Sequence, residues 1–297
     1  MAVHFADLIV ASDLPLPDLP RASGPADITM RRGPVPGAAA PLQQWPSPGG
    51  GDWLSIARAD GGYRVSLPDL ACLVAPDGRA ITYDHADPFD PGMRAHLLLH
   101  QVLPLAVSRT GRFVLHACAV ETPAGALAFI GQSGSGKSTL AAACCRRGFA
   151  LVADDALVID LEGGIGVWPT ADGVRLWDDM RTAAPDGAAW RNQATGKLRA
   201  PVPLARGRAP LARLCLLDTS HDGSSTVRPE PAAAARLEML SHLFRLDVED
   251  RDESRRCFEA ANRVAAAVPA RTVTYPNGLD YLDATVDAIV RDSIEGA

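Results

Sequence analysis

The sequence predicts an α/β domain with a central sheet, preceded by a small, mostly antiparallel β-domain. Three observations predict it. From Phe113 onward, apolar strand-like runs alternate with helix-like segments, the pattern of a sheet covered by helices. Earlier, between Trp53 and Tyr83, short β-rich runs are punctuated by Asp-Gly-Gly and Pro-Asp-Gly turns. Between an apolar run and a helix start lies Gly131-Gln132-Ser133-Gly134-Ser135-Gly136-Lys137-Ser138, which fits the pattern G-x-x-x-x-G-K-[ST] at every fixed position.

Taken in order, residues 5–10 read as a short strand. The Pro-rich stretch Leu14 to Pro20 and residues 32–52, rich in Gly and Pro, read as loop. Trp53–Ala57, Tyr63–Leu67, Ala71–Val74 and Ala80–Tyr83 read as strands. A helix runs from Pro91, a proline in the first turn where helices tolerate it, to Val107. The domain boundary is placed near residue 108, giving a β-rich domain with a connecting helix at 1–108 and a second domain at 109–297. Beyond the boundary, strands are expected at 113–120, 126–130, 150–159, 211–217 and 271–275. Helices are expected at 137–147, 231–246, 251–268 and 279–293, the last two framed by Pro269 and by Pro276-Asn277-Gly278.

Composition bounds the function. The 297 residues are 47% hydrophobic and 22% charged, with a formal charge of −6 and a pI of about 5.6. That is ample for a core, and it argues against a nucleic-acid-binding surface over the whole protein. Six cysteines form neither a C-x-x-C pair nor a zinc spacing, so they read as reduced thiols of a cytoplasmic protein. The N-terminus lacks the basic and apolar regions of a signal peptide. No apolar run approaches the ~20 residues of a transmembrane helix, so no membrane partner is expected. Lysine occurs only at Lys137 and Lys197; the remaining basic residues among 29 Lys plus Arg are arginine. Lys197 lies in an apparently exposed basic loop, Thr195-Gly196-Lys197-Leu198-Arg199. Lys197 and Arg199 read either as solvated surface cations or as contacts to a phosphate or an acidic substrate.

The glycines of the 131–138 loop let backbone N–H groups converge on phosphate oxygens. Gly131, Ser133, Gly134, Ser135, Gly136, Lys137, Ser138 and Thr139 are the candidate nucleotide contacts. Lys137 reaches the β- and γ-phosphates, and the Ser138 hydroxyl holds Mg²⁺. A second feature is Leu151-Val152-Ala153-Asp154-Asp155-Ala156-Leu157-Val158-Ile159, two carboxylates inside an apolar run. Buried unpaired carboxylates are costly, which points to a metal, a lysine or a proton-transfer task. Neighbouring strand residues face opposite ways, so one aspartate is free to hold Mg²⁺ and the other to accept the proton of an attacking hydroxyl. Capping or turn-forming aspartates are the plainer reading.

Leu115-His116, the glycine-rich loop, Arg146-Arg147-Gly148 and Leu151 to Asp155 together resemble the catalytic core of the HPr kinase/phosphorylase family. That family is related in fold to phosphoenolpyruvate carboxykinase and phosphorylates a serine of a carrier protein. The resemblance covers residues 112–160 and extends weakly to about 217. It implies a P-loop kinase domain with a mixed sheet, ATP and Mg²⁺ as cofactors, and a peptide or small-protein substrate. It also implies Asp155 as proton acceptor, Asp154 beside the metal and His116 as the active-site histidine, where a hydrogen-bonded core histidine is the plainer reading. A homo-oligomer is left open. The family's Pro-Gly-Arg-Asn segment is missing, as is an evident metal-site glutamate, for which Asp178 or Asp179 is the substitute considered. The opening Leu-Pro-Leu-Pro-Asp-Leu-Pro resembles HPr-kinase-related proteins of peptide natural-product clusters, which modify the C-terminal serine of a lasso-peptide precursor.

The leading expectation is an ATP-dependent serine kinase. A small-metabolite kinase and a nucleotide-binding regulatory protein without transfer activity remain beside it. A transport ATPase is disfavoured, because no LSGGQ-like signature follows the loop.

Overall fold

The computed structural model describes residues 1–16, 19–47, 50–171, 173–187, 191–192, 196–220, 224–276 and 278–295. Pro17, Asp18, Thr195 and Asn277, which figured in the sequence reading, lie outside the described residues. The protein is a mixed α/β structure. The chain divides into two units, Met1–Val114 with Phe244–Arg256, and Leu115–Leu243 with Cys257–Ala297. The expected boundary near residue 108 therefore falls inside the first unit, which also takes in a segment from much later in the chain.

The first unit is built on an eight-stranded sheet. Its strands are β1 (Ala2–Phe5), β2 (Leu8–Ser12), β3 (Ile28–Arg32), β4 (Ala38–Pro46), β5 (Asp52–Ala59), β6 (Gly62–Leu67), β7 (Leu70–Val74) and β8 (Ala80–His85). Their order is β1-β2-β3-β8-β7-β6-β5-β4. The β5–β8 meander is antiparallel, whereas β3 runs parallel to β2 and to β8. Alternate residues Leu70, Cys72 and Val74 point into the core, the two-residue period of a half-buried strand.

Two expectations are corrected here. The single strand at 5–10 is a hairpin, β1–β2, whose turn is made at Ala6 and Asp7. The expected loop at 32–52 contains β4. Its prolines hid it from composition, yet it lies at the sheet edge, where a missing N–H is tolerated, and its register shifts beside Pro41.

The expected helix from Pro91 is α1 (Pro91–Leu97), a π-helical stretch Leu98–Val102, and α2 (Leu103–Arg109). Asp90 caps it, accepting the Met93 N–H at 2.7 Å. Pro104 lacks the N–H that a regular helix needs at that turn, and the widened stretch precedes it.

The segment Phe244–Arg256 completes this unit through charge. Arg58 forks onto Asp247 with two bonds of 3.0 Å, and Tyr63 donates to the same carboxylate. Arg109 reaches Asp250 and Glu253, each at 2.9 Å.

The second unit follows β9 (Phe113–Leu115) with β10 (Cys118–Thr122), β11 (Gly125–Ile130), α3 (Lys137–Arg146), β12 (Ala150–Ala153), β13 (Leu157–Asp160) and β14 (Gly166–Trp168). Then come β15 (Val174–Leu176), β16 (Arg191–Asn192), β17 (Leu198–Ala200), β18 (Ala209–Ser220) and β19 (Thr226–Glu230). The chain closes with α4 (Ala232–Ser241), α5 (Arg251–Ala267), β20 (Ala270–Pro276) and α6 (Leu282–Glu295). The main sheet carries β12-β10-β11-β18-β14-β13 in order, with β20 beside β18. β11, β18 and β20 run parallel; β10 is antiparallel to β11 and to β12. β15, β17 and β16 form a small sheet of their own.

Helix α3 is built from small residues, Ala141 to Cys145, all buried, which let it lie close against Val120, Leu127 and Phe129 of the sheet. The expected strand at 113–120 breaks at His116 and Ala117, and the one at 150–159 breaks at Asp154–Ala156. Helix α4 stops at Ser241, short of the expected 246, because the chain leaves for the first unit. Among the described residues no helix is long and apolar enough to cross a membrane.

Candidate active site

The loop between β11 and α3 turns on glycines. Gly134 and Gly136 both hold φ of 85°, the left-handed region open to glycine. At Gly136 a Cβ would meet the Tyr275 hydroxyl at 2.5 Å, and at Gly131 it would meet Ser135 Oγ at 2.9 Å. The Tyr275 hydroxyl donates to the Ser135 carbonyl, fastening the loop to β20. Ser133 and Gly134 are exposed at the tip. Ser135 Oγ is buried with no hydrogen-bond partner, and Thr139 is half-buried on the first turn of α3.

Lys137 is only 7% exposed. Its Nζ bonds the carbonyls of Gly131 at 2.7 Å and Gln132 at 3.0 Å, so the ammonium is folded over the hollow of the loop. Burial pulls its pKa down; the charges of Asp155 and Asp154 oppose this, and that of Lys197 adds to it.

Ser138 joins the loop to the acid pair. Its Oγ donates to Asp154 Oδ1 at 2.8 Å. The Cys118 thiol donates to the same oxygen at 3.1 Å, and the Arg175 backbone N–H donates to Oδ2 at 3.0 Å. Asp154 is 2% exposed. Burial pushes its carboxyl up to about 6; the neighbouring charge of Asp155 adds, while Arg175 and the bonds from Ser138 and Cys118 oppose.

Asp155 does not continue the strand. Its φ of 83° is rare for a residue with a side chain. The inference from strand alternation is therefore corrected: the strand stops at Ala153 and the backbone turns at the two aspartates, as the chain leaves β12 for β13. His116 helps hold this turn. Its Nδ1 lies 3.0 Å from the Asp155 carbonyl oxygen, and its backbone N–H donates to His242 O at 2.7 Å. Burial lowers the His116 pKa, with the Asp155 charge opposing. The charge of Asp155 thus acts on Lys137, His116 and Asp154 alike, although the four come from three separate stretches of sequence.

The basic stretch near Lys197 is not the exposed loop expected. Leu198–Ala200 is strand β17, and Arg199 is only 6% exposed. Lys197 is half-buried, with Nζ 5.6 Å from the centroid of the Trp177 ring. Asp178 and Asp179 are exposed on the 3₁₀ turn Asp178–Ala183, and Asp178 is ion-paired with Arg181 at 2.5 Å. Among the described residues no three His, Cys, Asp or Glu side chains cluster as a ready-made metal cage. Mg²⁺ bound with a nucleotide needs only one or two carboxylates plus phosphate oxygens.

Sequence reasoning missed Cys118, Arg175, His242 and Tyr275. Arg175 carries the signal that exposed the aspartates, a charge inside an apolar run, Val174-Arg175-Leu176. The others had no local signal, since their roles depend on which strands pair.

No protein-family model and no curated protein sequence matches the chain. Among solved structures it is similar to one of the HPr(Ser) kinase/phosphatase from Coxiella burnetii. The two share 10% identity over 62% of this chain and 92% of that one, with a TM-score of 0.34.

Proposed function

We propose that this protein is an ATP- and Mg²⁺-dependent kinase that phosphorylates a serine hydroxyl of a peptide or small protein. The observation that carries the reading is the Ser138–Asp154 contact at 2.8 Å, which brings the glycine-rich loop and the acid pair into one site. The residues fit such a ligand. The loop takes a left-handed turn at Gly134 and Gly136, an unpartnered hydroxyl sits at Ser135, and a buried carboxylate stands where a cation would relieve it. When bound, Mg²⁺–ATP supplies the phosphoryl group and neutralises the charge that develops on transfer.

The chain's own residues do the rest. Lys137 exchanges two carbonyl partners for phosphate oxygens. Ser138 and Asp154 would hold the metal. Asp155 accepts the proton of the serine hydroxyl as its oxygen bonds to the γ-phosphorus and the bond to the β-phosphate oxygen breaks. His116 keeps the Asp155 backbone in its turned conformation. The lasso-peptide precursor with a C-terminal serine is the narrower candidate for the acceptor, and it rests on the resemblance alone.

The test is a panel of serine peptides, free serine and sugars incubated with γ-labelled ATP and Mg²⁺. Label on peptide serine is expected. Label on a sugar or free serine alone would make this a metabolite kinase, and nucleotide binding without any labelled product would make it a regulatory protein.

A further inference from the structure

Three donors hold the Asp154 carboxylate, and they come from different parts of the second unit. Oδ1 accepts from Ser138 Oγ at 2.8 Å and from Cys118 Sγ at 3.1 Å. Oδ2 accepts the Arg175 backbone N–H at 3.0 Å. Ser138 stands in the first turn of α3, directly after the glycine-rich loop. Cys118 opens β10, and Arg175 is the middle residue of β15. Each carboxylate oxygen therefore has one donor from a strand, and only Ser138 belongs to the nucleotide loop.

The sheet explains why Cys118 is the residue within reach. β10 runs antiparallel to β12, with Ala119 opposite Ala153. One step back along β10 and one step on past the end of β12 bring Cys118 and Asp154 together. On its other side Cys118 is paired with Phe129 of β11, the strand that leads into the loop. The residue is fully buried, so its neighbours fix its side chain. Ser138 is placed differently. Its Oγ lies 3.8 Å from Cys118 Sγ, but it follows Lys137, whose ammonium exchanges the Gly131 and Gln132 carbonyls for phosphate when nucleotide binds. The bond from Ser138 is thus tied to a loop whose contacts change, and those from Cys118 and Arg175 are not. A carboxylate held at one oxygen can swing about its broad terminal torsion; held at both, it cannot.

The sulfur matters as well. A thiol is a weak donor, so it fixes the direction of Oδ1 and leaves most of that oxygen's charge for a cation. The plainer account makes Cys118 one more small apolar residue of the core around α3. That account assigns nothing to the 3.1 Å contact.

We infer that Cys118 is a positioning residue: its thiol, together with the Arg175 N–H, holds the Asp154 carboxylate in the orientation that receives Mg²⁺, before nucleotide arrives. This rests on the kinase reading above and adds to it a residue that acts on the metal through Asp154.

The test is calorimetry of a non-hydrolysable ATP analogue, once with Mg²⁺ and once with a chelator. In the wild type Mg²⁺ is expected to tighten binding. Cys118→Ala should reduce that tightening about tenfold and leave the affinity in chelator unchanged. Cys118→Ser keeps a donor at the position and should restore most of the effect. In transfer assays the Mg²⁺ concentration giving half the maximal rate should rise about tenfold in Cys118→Ala, with a smaller effect on kcat at saturating Mg²⁺. A second reading needs no stable alanine variant. The infrared S–H stretching band that disappears in Cys118→Ser should shift in the wild type when Mg²⁺ and the analogue bind together, and stay in place with the analogue alone. Equal Mg²⁺ effects in wild type and Cys118→Ala, a serine variant as impaired as the alanine one, or an S–H band indifferent to Mg²⁺ would overturn the inference and leave the kinase reading standing. A wild type whose nucleotide binding is absent, or unaffected by Mg²⁺, would overturn both.

Discussion

Lys137 rests on its own loop, bonded to the carbonyls of Gly131 and Gln132. Replacing it with alanine should abolish labelled product in the γ-ATP assay. Asp155→Asn keeps the shape but removes the proton acceptor. We expect kcat to fall by about 10²–10⁴-fold with ATP affinity, measured by calorimetry, nearly unchanged. Asp154 works against the fold that holds it. Its carboxyl is raised to about 6 in the native state, so its contribution to stability is full below the ordinary carboxylate range and is lost as pH rises through that value. At neutral pH the charged form is therefore a net cost to the fold. Asp154→Asn should therefore raise the melting temperature of the nucleotide-free protein at pH 7.5 by several degrees, while Mg²⁺–nucleotide binding is lost. A melting temperature at or below wild type would refute this account of the carboxylate.

Helix α5 begins under the control of Asp250, whose Oδ1 accepts the backbone N–H of Asp252 and of Glu253, each at 3.0 Å. Those bonds, that from Glu253 first, together with Arg109 hold the Asp250 pKa below its ordinary value. The stabilisation is then present above the ordinary carboxylate range and is lost as pH falls through the lowered native value. Asp250→Ala should cost about 1 kcal/mol at pH 7, and the gap to wild type in a denaturant titration should close in strong acid. How legible an element was depended on how local its cause is. The loop at 131–138 was readable because its glycines, lysine and serine are adjacent. β4 was not, because Pro41 and Pro46 suggest a loop unless one knows that the strand lies at an edge. The break after Asp154 was not, because it arises where the chain changes sheet partners. Asp154 and Asp155 could still be singled out, since a charge in an apolar run needs explaining wherever the backbone goes.

At the scale of the whole molecule, the least legible feature was the segment Phe244–Arg256. Asp247 pairs with Arg58 across 189 residues of sequence, and Asp250 with Arg109 across 141. No local pattern announces a partner that distant. The segment also carries a prediction. A fragment ending at Val114 leaves Arg58 and Arg109 without these carboxylates, so its melting temperature should lie below that of a fusion of residues 1–114 to 244–256. Alanine at Asp247 and Asp250 in the fusion should remove most of the difference, whereas equal melting of fragment and fusion would show that the ion pairs contribute nothing.

The same discontinuity sets an order of events on the ribosome. The amino-terminal sheet is synthesised first, yet its last strut is not made until residue 256 has been added, after most of the glycine-loop unit. At ordinary elongation rates that is a delay of roughly ten seconds or more. During that time Arg58 of β5 and Arg109 of α2 wait for acidic partners, and the early half of the chain is finished only by the late half.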